Sequence, residues 1–92
     1  MKITFDPKKN QKNIEERGLS FERVTEIDFQ TAVFREDSRK DYGETRIRVL
    51  GKIAERIHVL VFTMLPDDTM RVISFRKANK REVKYYEEET RS

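Results

Sequence analysis

The segment RIHVLVFTML, residues 56–65, is the feature that most limits the folds open to this chain. Its apolar residues occupy successive positions rather than alternate ones, which predicts a strand with both sides buried. Such a strand lies at the centre of a sheet. Alternating segments at 45–53 and 70–77 flank it through short turns, so the sequence predicts an antiparallel meander of three strands.

The other elements are predicted from their boundary residues. Asp6 and Pro7 are typical of a helix start and Gly18 of a helix end, which predicts a helix over residues 7–17. Ser20 is placed to cap a second helix. The remaining predictions are a strand at 3–5, a strand at 32–34, a polar loop at 35–44 with a turn at Tyr42-Gly43, and a last helix at 78–89.

Apolar residues at helical spacing predict which helix positions face the core. These positions are Phe21, Val24, Ile27, Val83 and Tyr86. The resulting order, β-α-α-β-β-β-β-α, predicts an α+β domain of two layers. In it, the helices pack on one face of an antiparallel sheet.

The length and composition of the chain limit its class. Ninety-two residues make one domain, 1–92, and the 36% of hydrophobic residues support only a small core. The absence of cysteine excludes disulfides and cysteine-based zinc sites and suits a reducing cytoplasm. No apolar run approaches the roughly 18 residues of a membrane span, and MKITFDPKKN lacks the apolar core of a signal peptide. We therefore expect a cytoplasmic protein with no membrane association.

The positive charge is concentrated in two segments. The net charge is +3, and residues 46–56 and 71–84 are rich in Arg and Lys. A clustered basic surface is typical of proteins that bind phosphates. The alternative is a solvated charged face without a ligand.

Arg71 and Arg76 are the first candidates for phosphate contacts, because a guanidinium group can donate to two phosphate oxygens at once. They lie on opposite faces of a regular strand, so only one would point into a given groove unless a bulge intervenes. The alternative is an ion pair of these arginines with Glu44 or with the last helix.

Further cations lie at the start of the last helix and on the strand at 45–53. Lys77, Lys80 and Arg81 would add charge to the free backbone N–H groups of a helix start, which is a typical anion site. A solubilising surface or a partner contact is the alternative for them. Arg46 and Arg48 share one face of their strand, and we expect His58 and Leu60 to face them from the next strand.

Two residues are candidates for proton transfer. His58 is the only histidine and could act as a general acid or base, although a lone strand histidine is more often a structural hydrogen bonder. Glu44 is a candidate base beside Arg46, or else it orients Arg46 or Arg71 through an ion pair. Tyr85 could stack on a base or pack against a partner.

No metal or cofactor is expected. The chain has no HExxH, no P-loop and no cluster of His or Cys. Asp67-Asp68 and the acidic stretch 87–89 read as solvated turn and helix-end residues without ligand spacing.

Four segments occur in an order that is typical of one family. They are Phe5-Asp6-Pro7 with Asn13; Gly18-Leu19-Ser20-Phe21; Tyr42-Gly43-Glu44-Thr45-Arg46; and Arg71-Val72-Ile73-Ser74-Phe75-Arg76-Lys77-Ala78, followed by Glu82 and Tyr86. In this ordered set, which covers nearly the whole chain, the protein resembles the BrnT toxins of bacterial and archaeal type II toxin–antitoxin pairs.

The resemblance implies a RelE-like fold and a metal-independent endoribonuclease that cleaves RNA and inhibits translation. For such an activity, the candidate residues identified above would serve as follows: Arg71, Arg76, Glu44 and Arg46 as catalytic residues, Lys77, Lys80, Arg81 and Arg48 as RNA contacts, and His58 as a candidate acid or base. The implied partner is a BrnA-like antitoxin whose ribbon-helix-helix region binds DNA, so the toxin meets DNA only indirectly. A homodimer or a hetero-oligomer with the antitoxin is the expected assembly.

The chain departs from the family pattern at two places. Glu16-Arg17-Gly18 stands where the family often has Lys-His-Gly, and Met64-Leu65 follows the central-strand threonine where the family often has Arg. If either missing residue is catalytic in relatives, turnover here is slow or is carried by other groups. Two alternatives therefore stay open: a catalytically weak or inactive basic module that binds an antitoxin or regulator, and a structural partner of a DNA-binding regulator with no affinity for RNA.

Overall fold

A computed structural model of the protein describes residues 1–38 and 41–91. The elements in chain order are β1 (Ile3–Thr4), α1 (Pro7–Arg17), a 3₁₀ helix (Phe21–Glu26), β2 (Val33–Glu36), β3 (Ile47–Ile53), β4 (Arg56–Met64), β5 (Met70–Lys77) and α2 (Lys80–Thr90). The second helical segment is thus a 3₁₀ helix and not the expected α-helix. The predicted loop at 35–44 begins only after β2, and its residues 39–40 lie outside the described residues.

The predicted ends of α1 are confirmed. Asp6 accepts a hydrogen bond from the Lys8 backbone N–H at 2.9 Å, and Pro7 is the first helical residue. Gly18 ends the helix in the left-handed conformation, with φ 64°, and its N–H donates to the Ile14 carbonyl. A residue with a side chain would be strained at that φ, which explains why the helix ends at glycine.

The five strands form one mixed sheet in the order β1-β5-β4-β3-β2. The predicted central position of β4 is confirmed. The expectation of a purely antiparallel sheet was wrong, because β1 pairs with β5 in parallel. A strand of two residues is too short to show any pattern from which its pairing could be inferred.

The sheet is covered on both faces, so the expected two-layer arrangement with all helices on one face was wrong. The back face of the sheet carries Val49, Leu60, Phe62, Val72 and Phe75, which pack with Phe21 and Val24 of the 3₁₀ helix. The front face carries Val33, Leu50, Ile57 and Val59, which pack with Tyr86 of α2. A central strand that is apolar on both sides requires a cover on each side, and α2 provides the second one.

Two asparagines join α1 to the back layer. Asn13 donates from Nδ2 to the carbonyl oxygens of Leu19 and Phe75, each at 2.9 Å. Asn10 accepts the Phe21 backbone N–H at 2.8 Å. α1 itself has no buried residue, so these hydrogen bonds are the main specific links between the helix and the sheet layer behind it.

Candidate functional site

A bulge in β5 brings Arg71 and Arg76 to the same face of the sheet. Val61 of β4 pairs with Ser74, and the next residue, Phe62, pairs with Val72. Ile73 of β5 therefore has no partner in β4. Arg76 pairs with Val59 and Arg71 with Thr63, and these two β4 residues share the front face. In a regular strand, two residues five positions apart point to opposite faces. The bulge cancels this effect, so both arginines point to the front face.

Glu44 joins two arginines at one end of the front face. Its carboxylate accepts from Nη2 of Arg71, with 2.8 Å to each oxygen, and from Nε of Arg46 at 3.1 Å. The Arg46 guanidinium also lies 3.8 Å from the centre of the Tyr42 ring, a cation–π contact that holds its plane. The Nε atom of Arg71 is buried and has no hydrogen-bond partner in the described structure.

Arg76 is held by the last helix. Its Nη1 and Nη2 donate to the two carboxylate oxygens of Glu82 at 2.7 and 2.9 Å. Glu82 also accepts the backbone N–H of Asn79, whose side chain accepts the N–H of Glu82 in return, which is a capping box. The hydrogen bonds from Arg76 lower the pKa of Glu82 to about 2, against the opposing effect of burial.

The capping box already takes up the backbone N–H groups of Asn79 and Glu82 at the start of α2. The Glu82 carboxylate takes the place that a phosphate would have at the strand–helix junction. Lys80 and Arg81 are exposed on the first turn of α2. Lys77 pairs with His58 and so belongs to the back face, away from the front-face arginines.

Arg48 lies on β3, in a row between those of Arg71 and Arg76 but on the other side of β4 from both. It stands opposite Val61 in β4 and opposite Arg35 in β2, so both arginines belong to the front face. Arg35 pairs with Glu89 of α2 and faces the ring of Tyr85 at 5.8 Å. We call Arg46, Arg48, Arg71 and Arg76, with Glu44 and Glu82, the arginine cluster.

His58 does not join the arginine cluster. It was expected to face Arg46 and Arg48, but the register places it on the back face, paired with Gly51 and Lys77. It is only 3% exposed, stacks on Phe75 with 5.4 Å between ring centres, and has Nδ1 2.9 Å from the Arg56 carbonyl oxygen. Burial lowers the pKa of His58, although its hydrogen bond to that carbonyl acts in the opposite direction.

Known proteins resemble this chain in both sequence and structure. A family model described as the ribonuclease toxin BrnT of a type II toxin–antitoxin system matches residues 5–82. The chain belongs to the BrnT family of ribonuclease toxins. The 1.1 Å crystal structure of the Brucella abortus ribonuclease toxin BrnT matches with a TM-score of 0.65 and 28% identity, covering 87% of this chain and 99% of that one. No curated protein sequence gives a significant match.

The family assignment implies an antitoxin as partner. A BrnT toxin of a type II system has a cognate antitoxin. The matched region begins at Phe5 and ends at Glu82, so it contains every residue of the arginine cluster. No helix in the described part of this BrnT chain is long and apolar enough to cross a membrane.

The two departures from the BrnT pattern lie outside the arginine cluster. Arg17 is the exposed last residue of α1, in the back layer. Met64 ends β4, where it pairs with Met70 and is 52% exposed. The alternation of β4 places its side chain on the back face, opposite to the arginines.

Three residues of the front face were not identified as site residues from the sequence. Arg35 was not named, and Glu82 and Tyr42 were named only in the family pattern, with Tyr42 also placed in a turn. The sequence does contain a signal for Glu82, because Asn79 followed three residues later by Glu is a capping-box pattern. The alternative of an ion pair between Arg76 and the last helix was open from the sequence, and the structure shows that Glu82 forms it. Among residues 1–38 and 41–91, no three His, Cys, Asp or Glu side chains come together in a way that would hold a metal ion.

Proposed function

We propose that this BrnT toxin is a metal-independent endoribonuclease whose cleavage site is the end of the arginine cluster formed by Arg71, Arg46 and Glu44. The observation that carries the proposal is the β5 bulge, which places Arg71 on the same face as Arg76 and Arg48. The family's description as a ribonuclease toxin supports RNA as the substrate. Two cations around one carboxylate, with Arg48 on the same open sheet face, suit a polyanion better than a small molecule.

Each group of this centre has a role in cleavage by transesterification. Glu44 accepts the proton of the ribose 2′-hydroxyl, whose oxygen then bonds to phosphorus. Arg71 and Arg46 donate to the phosphate oxygens and stabilise the charge that grows on them. The bond to the 5′-oxygen breaks, and that oxygen takes a proton from water, which leaves a 2′,3′-cyclic phosphate and a 5′-hydroxyl.

The buried Nε of Arg71 supports this assignment. A buried donor without a partner costs roughly 1–3 kcal/mol. In the described structure this donor belongs to a residue whose Nη2 already binds Glu44. Since this Nε is closed to solvent, a phosphate oxygen reaches it only if the Arg71 side chain moves when RNA binds, and the new hydrogen bond would then remove that cost.

For Arg76 we propose a role different from the catalytic one expected from the sequence. Thr63 and Val59, the partners of Arg71 and Arg76, are four residues apart in β4, which is about 13 Å along the strand. One phosphate does not span that distance, and Glu82 already occupies the Arg76 fork. We assign Arg76 the role of positioning α2 and of adding positive charge at the far end of the cluster.

The family assignment also suggests a cellular role. We propose that the fold is RelE-like. We propose further that the protein is a cytoplasmic toxin whose cleavage of RNA inhibits translation. We propose a BrnA-like antitoxin with a ribbon-helix-helix region as the neutralising partner. The assignment of the chain to a type II toxin–antitoxin family supports this.

The first prediction tests the cleavage site. Purified protein with RNA and excess EDTA should give products that end in a 2′,3′-cyclic phosphate, identified by mass spectrometry. Arg71→Ala and Glu44→Gln should each lower kcat by roughly 10²–10³-fold, the usual effect of removing one group that stabilises the transition state.

A matched control separates the site from general charge. Arg23→Gln removes an exposed arginine of the 3₁₀ helix that pairs with Glu26 behind the sheet, and it should leave the rate unchanged. Full activity of both Arg71→Ala and Glu44→Gln, with their folds intact, would show that RNA is cleaved elsewhere.

A catalytically inactive interaction module is the second candidate. The observation in its favour is that Arg71 and Arg76 each bind a carboxylate of the protein itself, while the only histidine is on the opposite face. This candidate predicts salt-sensitive RNA binding without any cyclic-phosphate product. A third, purely structural partner would show no RNA binding that depends on these arginines.

A further inference from the structure

Arg48 is a half-buried cation of the arginine cluster that has no carboxylate partner in the described chain. Its neighbours on the front face are differently placed. Arg71 and Arg46 share Glu44, Arg76 binds Glu82, and Arg35 binds Glu89. Glu82 does interact with Arg48 electrostatically, but both its oxygens already accept from Arg76.

The position of Arg48 is unfavourable in the free protein. Arg48 and Arg35 are direct cross-strand partners, and like charges placed opposite one another destabilise a sheet. Arg46 also precedes Arg48 by two residues, on the same face of the sheet. A half-buried cation with this surrounding charge would be stabilised by an anion from outside the chain.

The cations of the front face lie in three rows across the strands. Arg71 stands opposite Thr63, Arg48 opposite Val61, and Arg76 opposite Val59. Arg71 and Arg76 lie on β5 and Arg48 on β3, about 10 Å to the side across β4. Arg46, which shares Glu44 with Arg71, precedes Arg48 by two residues, which is about 7 Å along a strand and on the scale of one nucleotide step. The third row is closed, because the Glu82 carboxylate occupies it and α2 packs over Leu50 and Val59 beyond it.

We propose that Arg48 is a binding subsite for the phosphate next to the scissile one, so that the site holds two consecutive phosphates of single-stranded RNA. The proposal rests on the proposed function for the position of the scissile phosphate at Arg71 and Arg46. The RNA chain then runs along the strands from the β5 bulge towards α2. Glu82 takes the position that a third phosphate would need, so only one flanking phosphate on that side is bound.

The test uses an oligonucleotide with one 2′-hydroxyl, which fixes the bond to be cleaved, and a neutral methylphosphonate at either flanking position. For the wild-type protein, the methylphosphonate on one side should lower kcat/KM roughly 10–100-fold, the effect of losing one charge-assisted contact. Arg48→Gln should show that loss with the normal oligonucleotide and no further loss with the methylphosphonate. Arg48→Lys should recover part of the difference.

Equilibrium binding keeps the proposal separate from the cleavage assignment. For a fully 2′-O-methylated strand, which is not cleaved, Arg48→Gln should reduce the slope of log K against log salt by about 0.7, the value for one phosphate contact on a single strand. Arg23→Gln should leave the slope unchanged. If RNA is not cleaved but this slope changes, the subsite stands and the proposed function fails.

Two results would overturn the subsite itself. One is an unchanged salt slope in Arg48→Gln, and the other is an equal methylphosphonate effect in wild type and variant. The unfolding temperature provides an independent readout, because Arg48→Gln removes the repulsion from Arg35 and should raise it by about 1–5 °C. A fall in that temperature would instead assign Arg48 a structural role.

Discussion

At the scale of single residues, the arginines of the cluster differ in how fully carboxylates of the protein neutralise their charge. Arg76 binds both oxygens of a carboxylate that is only 13% exposed. Arg71 shares its carboxylate with Arg46, and Arg48 forms no close ion pair in the described chain, although Glu82 interacts with it electrostatically. The charge of Arg76, next to α2, is therefore neutralised most completely by a carboxylate, and that of Arg48 on β3 least completely. The less neutralised arginines are the ones we assign to RNA.

Glu82 should make stability depend on acid pH. Its folded-state pKa is about 2, below the ordinary value of 4.5, so the unfolded state binds the proton more readily between these values. The stabilisation is complete above about pH 4.5 and is lost as the pH falls to about 2. Because Arg76 is 34% exposed and solvent screens the pair, we expect a contribution on the order of 1–2 kcal/mol.

The measurement compares wild type with Glu82→Gln by urea unfolding at several pH values. The variant should be less stable at pH 7 and equal to wild type near pH 2, since the neutral amide resembles the protonated acid. A difference that is the same at pH 2 and pH 7 would show that Glu82 acts through shape rather than charge.

At the scale of elements, the sequence predicted most strands and helix ends because those depend on local patterns. Asp6 and Gly18 set the ends of α1, and alternation set the approximate limits of β3 and β5. The cover of both sheet faces was missed, although the apolar character of β4 on both sides contained that information. The parallel pairing of β1 depends on contacts between distant parts of the chain and has no local signal.

The bulge in β5 was considered from the sequence but not placed. Its signal is a break in alternation: Met70 and Val72 are two residues apart, but the next core residue is Phe75. Both Val72 and Phe75 face back, which a regular strand does not allow at a spacing of three. The sequence offered ion pairs of Arg71 and Arg76 with Glu44 or with the last helix as the alternative to phosphate contacts, and the structure contains both pairs. It did not identify Glu82 as the carboxylate of that helix, because this depends on side-chain geometry.

Gly51 fixes how closely the segment after the 3₁₀ helix approaches β3. A Cβ at this position would lie 2.6 Å from Ile27 Cγ2 and 3.3 Å from Ala32 Cβ. Gly51→Ala should therefore lower the free energy of unfolding by about 1–3 kcal/mol through overpacking. Urea unfolding measures the loss.

A double-mutant cycle provides the control for this prediction. In an Ile27→Ala background the clash is removed, so adding Gly51→Ala should cost less than it does alone. Equal costs in both backgrounds would show that the close approach at Ile27 does not explain the glycine.

At the scale of the whole molecule, the two faces of the sheet have different compositions. The back face holds the larger core cluster together with His58, and the front face holds the arginine cluster beside α2. Since an RNA strand on the front face is separated from the back face by the sheet itself, we expect changes on the back face to affect stability and not chemistry.

His58→Gln tests that separation. Burial lowers the pKa of His58 below 6.5, so wild-type stability should decrease as the pH falls below about 6.5, because the unfolded state binds the proton more readily. The variant should lack this pH dependence, lose about 1–3 kcal/mol at pH 8, and cleave RNA at the wild-type rate. Unfolding by urea and kcat/KM, both measured at pH 5.5 and 8, check these expectations.

Loss of cleavage in His58→Gln without loss of stability would contradict the assignment. It would restore the role as acid or base that the sequence suggested for the only histidine.

The bulge in β5 also bears on how relatives of this protein should be aligned. Ile73 is the residue without a partner in β4. A homologue that lacks it would keep all the other residue pairs, and both arginines would still point to the front face. The presence or absence of this one residue in relatives would then leave the arrangement of the arginines unchanged. Searches for this site should accept two arginines either four or five positions apart in the last strand.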